Sequence, residues 1–429
     1  MSNALWICFS LSVGLLWCCG ITGHVSAAAS EQDEHATETQ PDWPVVIQQL
    51  RQQQDQMPGN LQIRQQLAVA YNNYGVSLGG QGRFTEATQQ LEQATRLDPS
   101  NGQLRRNLAL MHVQVARSAY EAHQIQSAKD AIQRALSVEP KTAEAYAILG
   151  EIEYGSQRLK EAKAAWQKAL AINPELEEVT QRLEQVSEEL PVESQFERLS
   201  QFAFDIRYTE GLDRSVGFDI REALLTARRI VGADFAYWPK QKIVVLIYSA
   251  AQFRQLRQDT PEWTAGQFDG KIRIPLPSHE FDQATVTRIL FHEYTHAVLA
   301  DLTNGRCPTW LNEGLAEYEA WKNQHLPWRM LRQAAAAGRL LSWAELSAQF
   351  SALSSAEEAG LAYEQSHSVV RYLIERYGFW HIKRLLQAVA AGTPLDDDAL
   401  ATEFHVKPAR LEDNWRTWLR GMLAASPSR

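Results

Sequence analysis

The chain has 429 residues, room for two or three domains, and its 45% hydrophobic and 22% charged residues exclude a disordered chain. Its formal net charge of −9 argues against nucleic acid as a partner, because a phosphate backbone calls for a basic footprint.

Residues 1–29 contain no Asp, Glu, Lys or Arg. Leu5 to Ile21 is mostly apolar, and Val25-Ser26-Ala27-Ala28-Ala29 offers small residues where a signal peptidase cuts. We read 1–29 as a signal peptide, so the mature protein is expected to be exported. The alternative is an uncleaved membrane anchor, which needs about 20 apolar residues; contact with a membrane is expected only in that case. Cys8, Cys18 and Cys19 fall in this segment. A mature chain keeps Cys307 alone and has no internal disulfide. Residues 30–59 are polar, with Pro41, Pro44 and Pro58, and read as a linker holding one short helix around Trp43 to Gln54.

From residue 60 to 190 the pattern is helical and repetitive. Ala87, Leu91, Ala94 and Pro99 recur as Ala128, Ile132, Ala135 and Pro140, and again as Ala162, Trp166, Ala169 and Pro174. Tyr71 with Gly75 matches Tyr146 with Gly150, while the middle unit has His112 and Ala116 there. This resembles the tetratricopeptide repeat, a helix-turn-helix unit of 34 residues. The units fall near 68–101, 109–142 and 143–176, and the step from the first to the second is seven residues longer. A terminal helix over 176–190 completes an α-solenoid. The resemblance implies a concave surface for a protein or peptide partner; a passive spacer or a dimerisation element is the alternative.

Leu190-Pro191-Val192 is expected to end the helical region. Phe202 to Tyr208 alternates like a strand, a helix follows over about 219–231, and Lys242 to Tyr248 reads as a strand buried on both faces. Gly270 to Pro275 alternates after a Gly and ends at Pro, which suits an edge strand. A long apolar helix over 284–302 comes next, then a turn at Thr303-Asn304-Gly305-Arg306 and a helix over 310–322. The remainder is mainly helical. The expected class is α+β, mostly α, with a second domain over 193–424.

The long helix carries His292-Glu293-Tyr294-Thr295-His296, an HExxH sequence. Residues four apart share a helix face, so His292 and His296 can offer two imidazole nitrogens to one metal ion, with Glu293 beside it to act on a water. Two satisfied core histidines are the alternative for this motif in isolation. Glu313 follows His296 after 16 intervening residues, enough for a second helix to return past the histidines. Two His and one Glu give the three ligands of a zinc hydrolase and leave a fourth position open. Glu317, one turn on, can accept a hydrogen bond from the far nitrogen of a ligating His. Gly314, costly in mid-helix, suggests close approach of the two helices at the metal.

HEYTH followed by Trp310-Leu311-Asn312-Glu313-Gly314-Leu315-Ala316-Glu317-Tyr318 resembles the gluzincin metallopeptidases, the clan of thermolysin and the leukotriene-hydrolase type of aminopeptidase. It is most similar to bacterial peptidase-MA-like domains preceded by tetratricopeptide repeats. The resemblance covers about Phe202 to Leu419. It implies a zincin-like domain holding one zinc ion on His292, His296 and Glu313, with Glu293 as general base and a periplasmic location. It also implies an oxyanion donor on a downstream helix, where Tyr363 is favoured and His367 is the alternative. The strand before the motif helix stands where this clan aligns extended substrates. The aminopeptidase motif for a free substrate amine is not recognisable, which favours an endopeptidase. Cys307, Tyr294, Tyr318 and the tryptophans Trp310, Trp321, Trp328 and Trp343 read as packing residues, and His279, His325, His381 and His405 have no spacing that marks a site. Two functions follow: an exported zinc peptidase acting on a peptide or protein, or a repeat-based periplasmic assembly protein with a metal-binding but catalytically weak domain.

Overall fold

The fold comes from a computed structural model that describes residues 41–210, 214–256, 266–276, 282–322, 324, 326–350 and 355–425. The expected signal peptide, most of the linker's first part, His279 and His325 lie outside the described residues. The chain divides into two compact units between Pro191 and Val192.

The first unit is helical among its described residues: α1 (Trp43–Gln56), α2 (Leu61–Gly80), α3 (Phe84–Leu97), α4 (Gly102–Glu121), α5 (Ile125–Val138), α6 (Ala143–Gly155), α7 (Leu159–Ile172) and α8 (Glu177–Glu193), whose last two residues belong to the second unit. Pairs α2/α3, α4/α5 and α6/α7 are the repeats. Each second helix stops two residues before a proline (Pro99, Pro140, Pro174), which cannot continue it. Asn60 and Asn101 cap α2 and α4 by accepting backbone N–H bonds with their side chains. These two helices have 20 residues, against 13 in α6, and a longer α4 accommodates the longer step between the first two units. A Cβ on Gly75 would lie 2.7 Å from Leu91, and one on Gly150 would lie 2.2 Å from the Trp166 indole. Both glycines are therefore required by close helix approach. The expected stop at Leu190 is corrected: α8 runs on through Pro191 to Glu193. Glu193 is buried and anchored by Arg273 and Tyr248, which holds the chain in place past the proline.

The second unit opens with β1 (Glu197–Ser200), β2 (Phe204–Tyr208), α9 (Arg214–Phe235), β3 (Ile243–Ser249), α10 (Ala250–Leu256), β4 (Gln267–Phe268) and β5 (Ile272–Leu276). The sheet order is β1-β2-β3-β5-β4, with β2, β3 and β5 parallel and β1 and β4 antiparallel at the two edges. One face packs Phe204, Ile206, Val245, Ile247, Ile272 and Ile274 against helices. The other packs Val244, Leu246 and Tyr248 against Phe253, Leu256, Val192 and Phe196. The continuous apolar run of β3 thus reflects burial on both faces.

β5 was expected at an edge. It lies inside the sheet instead, between β3 and β4, and β4 forms that edge. β4 pairs only with Ile272 and Arg273, so Pro275 sits past its last partner, where the missing N–H is tolerated. The helical remainder comprises α11 (Gln283–Thr303), α12 (Thr309–Trp321), α13 (Arg329–Ala336), α14 (Trp343–Gln349), α15 (Ala356–Tyr377), α16 (Phe379–Ala390), α17 (Asp397–Phe404) and α18 (Pro408–Ala425).

Candidate functional site

Helix α11 is the buried axis of the second unit. Every residue from Ile289 to Leu299 is buried, and a helix apolar on nearly all sides belongs in a core. Asp282 caps its start by accepting the N–H of Ala284. Asn304 ends it in the left-handed conformation at φ 52°, followed by Gly305 at φ 72°. That turn sends the chain back as α12, which packs on both α11 and α15.

The turn brings Glu313 under the two histidines. Oε2 of Glu313 is 3.4 Å from Nε2 of His292 and 3.4 Å from Nε2 of His296. Among the described residues, these three form the group whose ligand atoms could hold one metal ion. The far side of each ring is tied down. Nδ1 of His292 is 3.1 Å from Oε1 of Glu317, and Nδ1 of His296 is 3.1 Å from Oδ1 of Asn312. Both oxygens are acceptors, so each Nδ1 carries the proton and each Nε2 presents a lone pair. Those Nε2 atoms are buried and make no conventional hydrogen bond. Four ligands at zinc's usual bond lengths of about 2.1 Å stand about 3.4 Å apart in a tetrahedron. The residues therefore fit a zinc ion in donor type, tautomer and the spacing of each histidine from Glu313.

The electrostatics agree. Burial alone pushes His292 down, yet Glu313 and Glu317 overcome it and raise its pKa to about 10. Burial pushes Glu313 up, but His296 and His292 bring it down to about 2. This buried anionic pocket is built to hold positive charge, whether protons or a metal ion.

Glu293 is fully buried beside the cluster. Gly266, just before the edge strand β4, passes so close that a Cβ there would lie 2.6 Å from Oε1 of Glu293. Tyr363 on α15 is 4% exposed, with its ring centroid 6.5 Å from that of His292. His367, one turn on, accepts the Trp328 indole N–H at Nδ1, 2.8 Å away. The reading of Gly314 is corrected. A Cβ there would meet the Ser366 carbonyl oxygen and Val370 at 2.7 Å, so the close approach is to α15 and not to α11.

Cys307 is not part of the cluster; its thiol is pushed up by burial and then by Glu313, so it stays protonated. Tyr294 packs edge-on against Phe204, Tyr318 lies tilted against Phe379, and Trp343 stacks on Trp310 and meets Trp415 edge-on. His381 is held by Glu403. Asn312 and Gly266 were not anticipated. Two imidazoles facing one carboxylate have two far nitrogens, so a second acceptor beside Glu317 was there to be sought.

A helical-repeat region together with a small mixed sheet, an HExxH helix and a returning glutamate helix defines a peptidase-like protein with a protein-interaction region. The chain belongs to the Peptidase MA superfamily, whose family model matches residues 202–421. Tetratricopeptide-repeat models match residues 75–114 and 116–177. No curated protein matches the chain. Solved structures similar to it include the first tetratricopeptide domain of human RPAP3 (23% identical, covering 30% of this chain and 94% of that one, TM-score 0.23). The Arabidopsis OM64 TPR domain is 18% identical, with 29% and 96% covered and a TM-score of 0.23. MamA from Desulfovibrio magneticus RS-1 is 17% identical, with 36% and 88% covered and a TM-score of 0.23.

Proposed function

We propose that this chain is an exported zinc metallopeptidase, an endopeptidase acting on a peptide or protein, whose repeats bind that substrate or a protein partner. The observation that carries the reading is the convergence of two buried Nε2 atoms, each 3.4 Å from one carboxylate oxygen of Glu313. The uncharged, small-residue N-terminus supports export to the periplasm.

When bound, a zinc ion supplies Lewis acidity that acidifies a water and polarises a carbonyl. His292, His296 and Glu313 hold it, and Glu317 and Asn312 keep both rings in the ligating tautomer. Glu293 takes the proton of the attacking water and passes it to the leaving amine. Tyr363 donates its hydroxyl hydrogen to the oxyanion that forms on the scissile carbonyl. The outer edge of β4, which pairs with no further strand among the described residues and begins beside Glu293, offers main-chain groups to an extended substrate.

Metal analysis and a peptide-library cleavage assay test this reading. Wild-type protein is expected to carry stoichiometric zinc, and His292→Ala to lose it. Glu293→Gln is expected to keep zinc while cleaving about 10²- to 10⁴-fold more slowly. Cleavage by Glu293→Gln at the wild-type rate would overturn the mechanism. Zinc binding with a captured protein partner and no cleavage of any library peptide would favour the assembly-protein reading.

A further inference from the structure

Helix α1 stands before the first repeat and borders a cleft with it. The cleft has a volume of about 440 Å³, within the roughly 300–1,000 Å³ of ordinary ligand sites. Three helices line it: α1 gives Pro44, Ile47 and Arg51, α2 gives Tyr71, and α3 gives three glutamines and Arg96. Pro44, Ile47 and Arg51 are three and four apart, so one face of α1 carries all three. Because α1 belongs to no repeat, this cleft is distinct from a surface shared by successive repeats.

Tyr71 is 4% exposed, and its buried hydroxyl makes no hydrogen bond within the protein. A buried hydroxyl without a partner is costly, and an acceptor entering the cleft relieves that cost. The Arg51 guanidinium lies over the Tyr71 ring, 5.5 Å from its centroid. The ring's quadrupole attracts the cation, and the arginine still has its fork of N–H donors to offer a carboxylate. Neither Arg51 nor Arg96 pairs with an acid among the described residues. One acid, Glu92, also lines the cleft, so two cations stand against one anion on a chain whose net charge is −9. The rest of the lining suits a peptide better than a free inorganic anion. Glutamine amides both donate to and accept from main-chain groups, and Ile47 and the tyrosine ring take apolar neighbours of the acid.

We propose that the cleft between α1, α2 and α3 binds an acidic peptide of a partner or substrate, with Tyr71 and Arg51 donating hydrogen bonds to one carboxylate and Arg96 adding attraction. This narrows the ligand of the repeats to an acidic class; it rests on reading the repeats as a binding region and not on the metal site. The carboxylate belongs to an Asp or Glu side chain or to a peptide C-terminus, two sources of the same chemistry.

Fluorescence anisotropy on the full chain tests this, with labelled eight-residue peptide libraries as probes. One library has a central Glu and an amidated C-terminus. A second replaces that Glu with Gln, and a third keeps the Gln but ends in a free carboxylate. The first or the third is expected to bind about tenfold more tightly than the second, and the tighter one identifies the source of the carboxylate. Tyr71→Phe removes the donor and keeps the ring. It is expected to weaken acidic peptides about tenfold, the loss of one hydrogen bond to a charged group, without lowering the melting temperature of the free protein. Arg51→Gln is expected to weaken them similarly and to flatten the salt dependence. Equal binding of the three libraries overturns the proposal, as does unchanged affinity in Tyr71→Phe. A lower melting temperature in Tyr71→Phe overturns it too, since the hydroxyl is then satisfied without a ligand.

Residues 30–40, just before α1, carry Glu31, Asp33, Glu34 and Glu38 and no Lys or Arg. Replacing these four by Gln and Asn is expected to leave peptide affinity unchanged; a tenfold gain would mean that the chain's own segment fills the cleft, which overturns the assignment to a partner. Zinc content and cleavage are measured alongside. A chain that holds zinc and cleaves, or binds neutral peptides through its repeats, with no preference for an acid sinks the cleft alone. Acidic-peptide binding by a chain without zinc upholds the cleft and sinks the peptidase reading alone.

Discussion

Oδ1 of Asn312 lies 3.1 Å from Nδ1 of His296, and it serves that ring as Glu317 serves His292. The two imidazoles are held unequally, one by a neutral amide and the other by a carboxylate. A carboxylate makes the imidazole the more basic ligand, whereas an amide only fixes its orientation and tautomer. Asn312 directly precedes Glu313, so one turn of α12 delivers the carboxylate that meets both histidines and the partner of His296 together.

Asn312→Leu is expected to weaken zinc binding about 10- to 100-fold by freeing the His296 ring to tautomerise and turn. Asn312→Asp is expected to retain or tighten binding. Chelator competition at constant pH measures both. Equal affinity in Asn312→Leu and wild type would show that packing alone orients His296.

Much of this architecture was legible because its signals are local. The repeat positions Ala87, Leu91 and Ala94 and their counterparts are read from spacing, since each must fill the same gap between paired helices. HExxH and Glu313 are read from helix geometry and the length of one return. What escaped depends on partners distant in sequence. Gly314 announces a close contact but not with which helix; the answer, Ser366 on α15, is set by tertiary packing. β5 looked like an edge because Pro275 ends it, yet two residues of β4 cover its start. A strand that short leaves no periodicity to detect. Gly266 gives no local sign that the buried carboxylate of Glu293 lies against it.

Gly266→Ala tests that contact. The added Cβ would stand 2.6 Å from Oε1 and 3.1 Å from Cδ of Glu293, so the carboxylate has to shift. Zinc content is expected to be unchanged, because no ligand is touched. Peptide cleavage is expected to fall roughly 10²-fold, the scale on which small misplacements act. Parallel metal and rate measurements separate this outcome from unfolding; a normal rate would mean that β4 gives way instead.

Gly314→Ala acts on the other side of the cluster. Alanine favours a helix over glycine by about 1 kcal/mol, but its Cβ would press on the Ser366 carbonyl, a backbone atom that cannot rotate away. Overpacking of this kind costs about 1–3 kcal/mol. A net loss of stability is expected, together with weaker zinc binding, because Glu313 precedes the displaced residue. Denaturant melts with and without zinc measure both. A stabilised variant would show that α12 and α15 have slack between them.

Glu319 gives the second unit a pH dependence of known sign. It lies on α12, is 2% exposed, and burial raises its pKa to about 8 against the pull of Lys322, whose Nζ is 3.6 Å away. Asp234 pairs with the same lysine and adds to the rise. The unfolded chain releases this proton near 4.5. Between about pH 4.5 and 8 the folded protein therefore holds a proton that the unfolded chain lacks, and stability falls as pH rises through that window. A shift of this size corresponds to a few kcal/mol. Glu319→Gln keeps the shape but cannot ionise, so it is expected to lose much less stability between pH 5 and pH 8 than wild type does. Glu364, raised to about 7 by its burial, acts with the same sign and leaves the variant a residual slope. His367, depressed to about 4, acts oppositely, lowering stability as pH falls from 6.5 toward 4. Denaturant midpoints in chelator, which removes metal-linked protons, measure the difference. Parallel pH profiles for wild type and Glu319→Gln would mean that Lys322 keeps Glu319 ionised in the folded state.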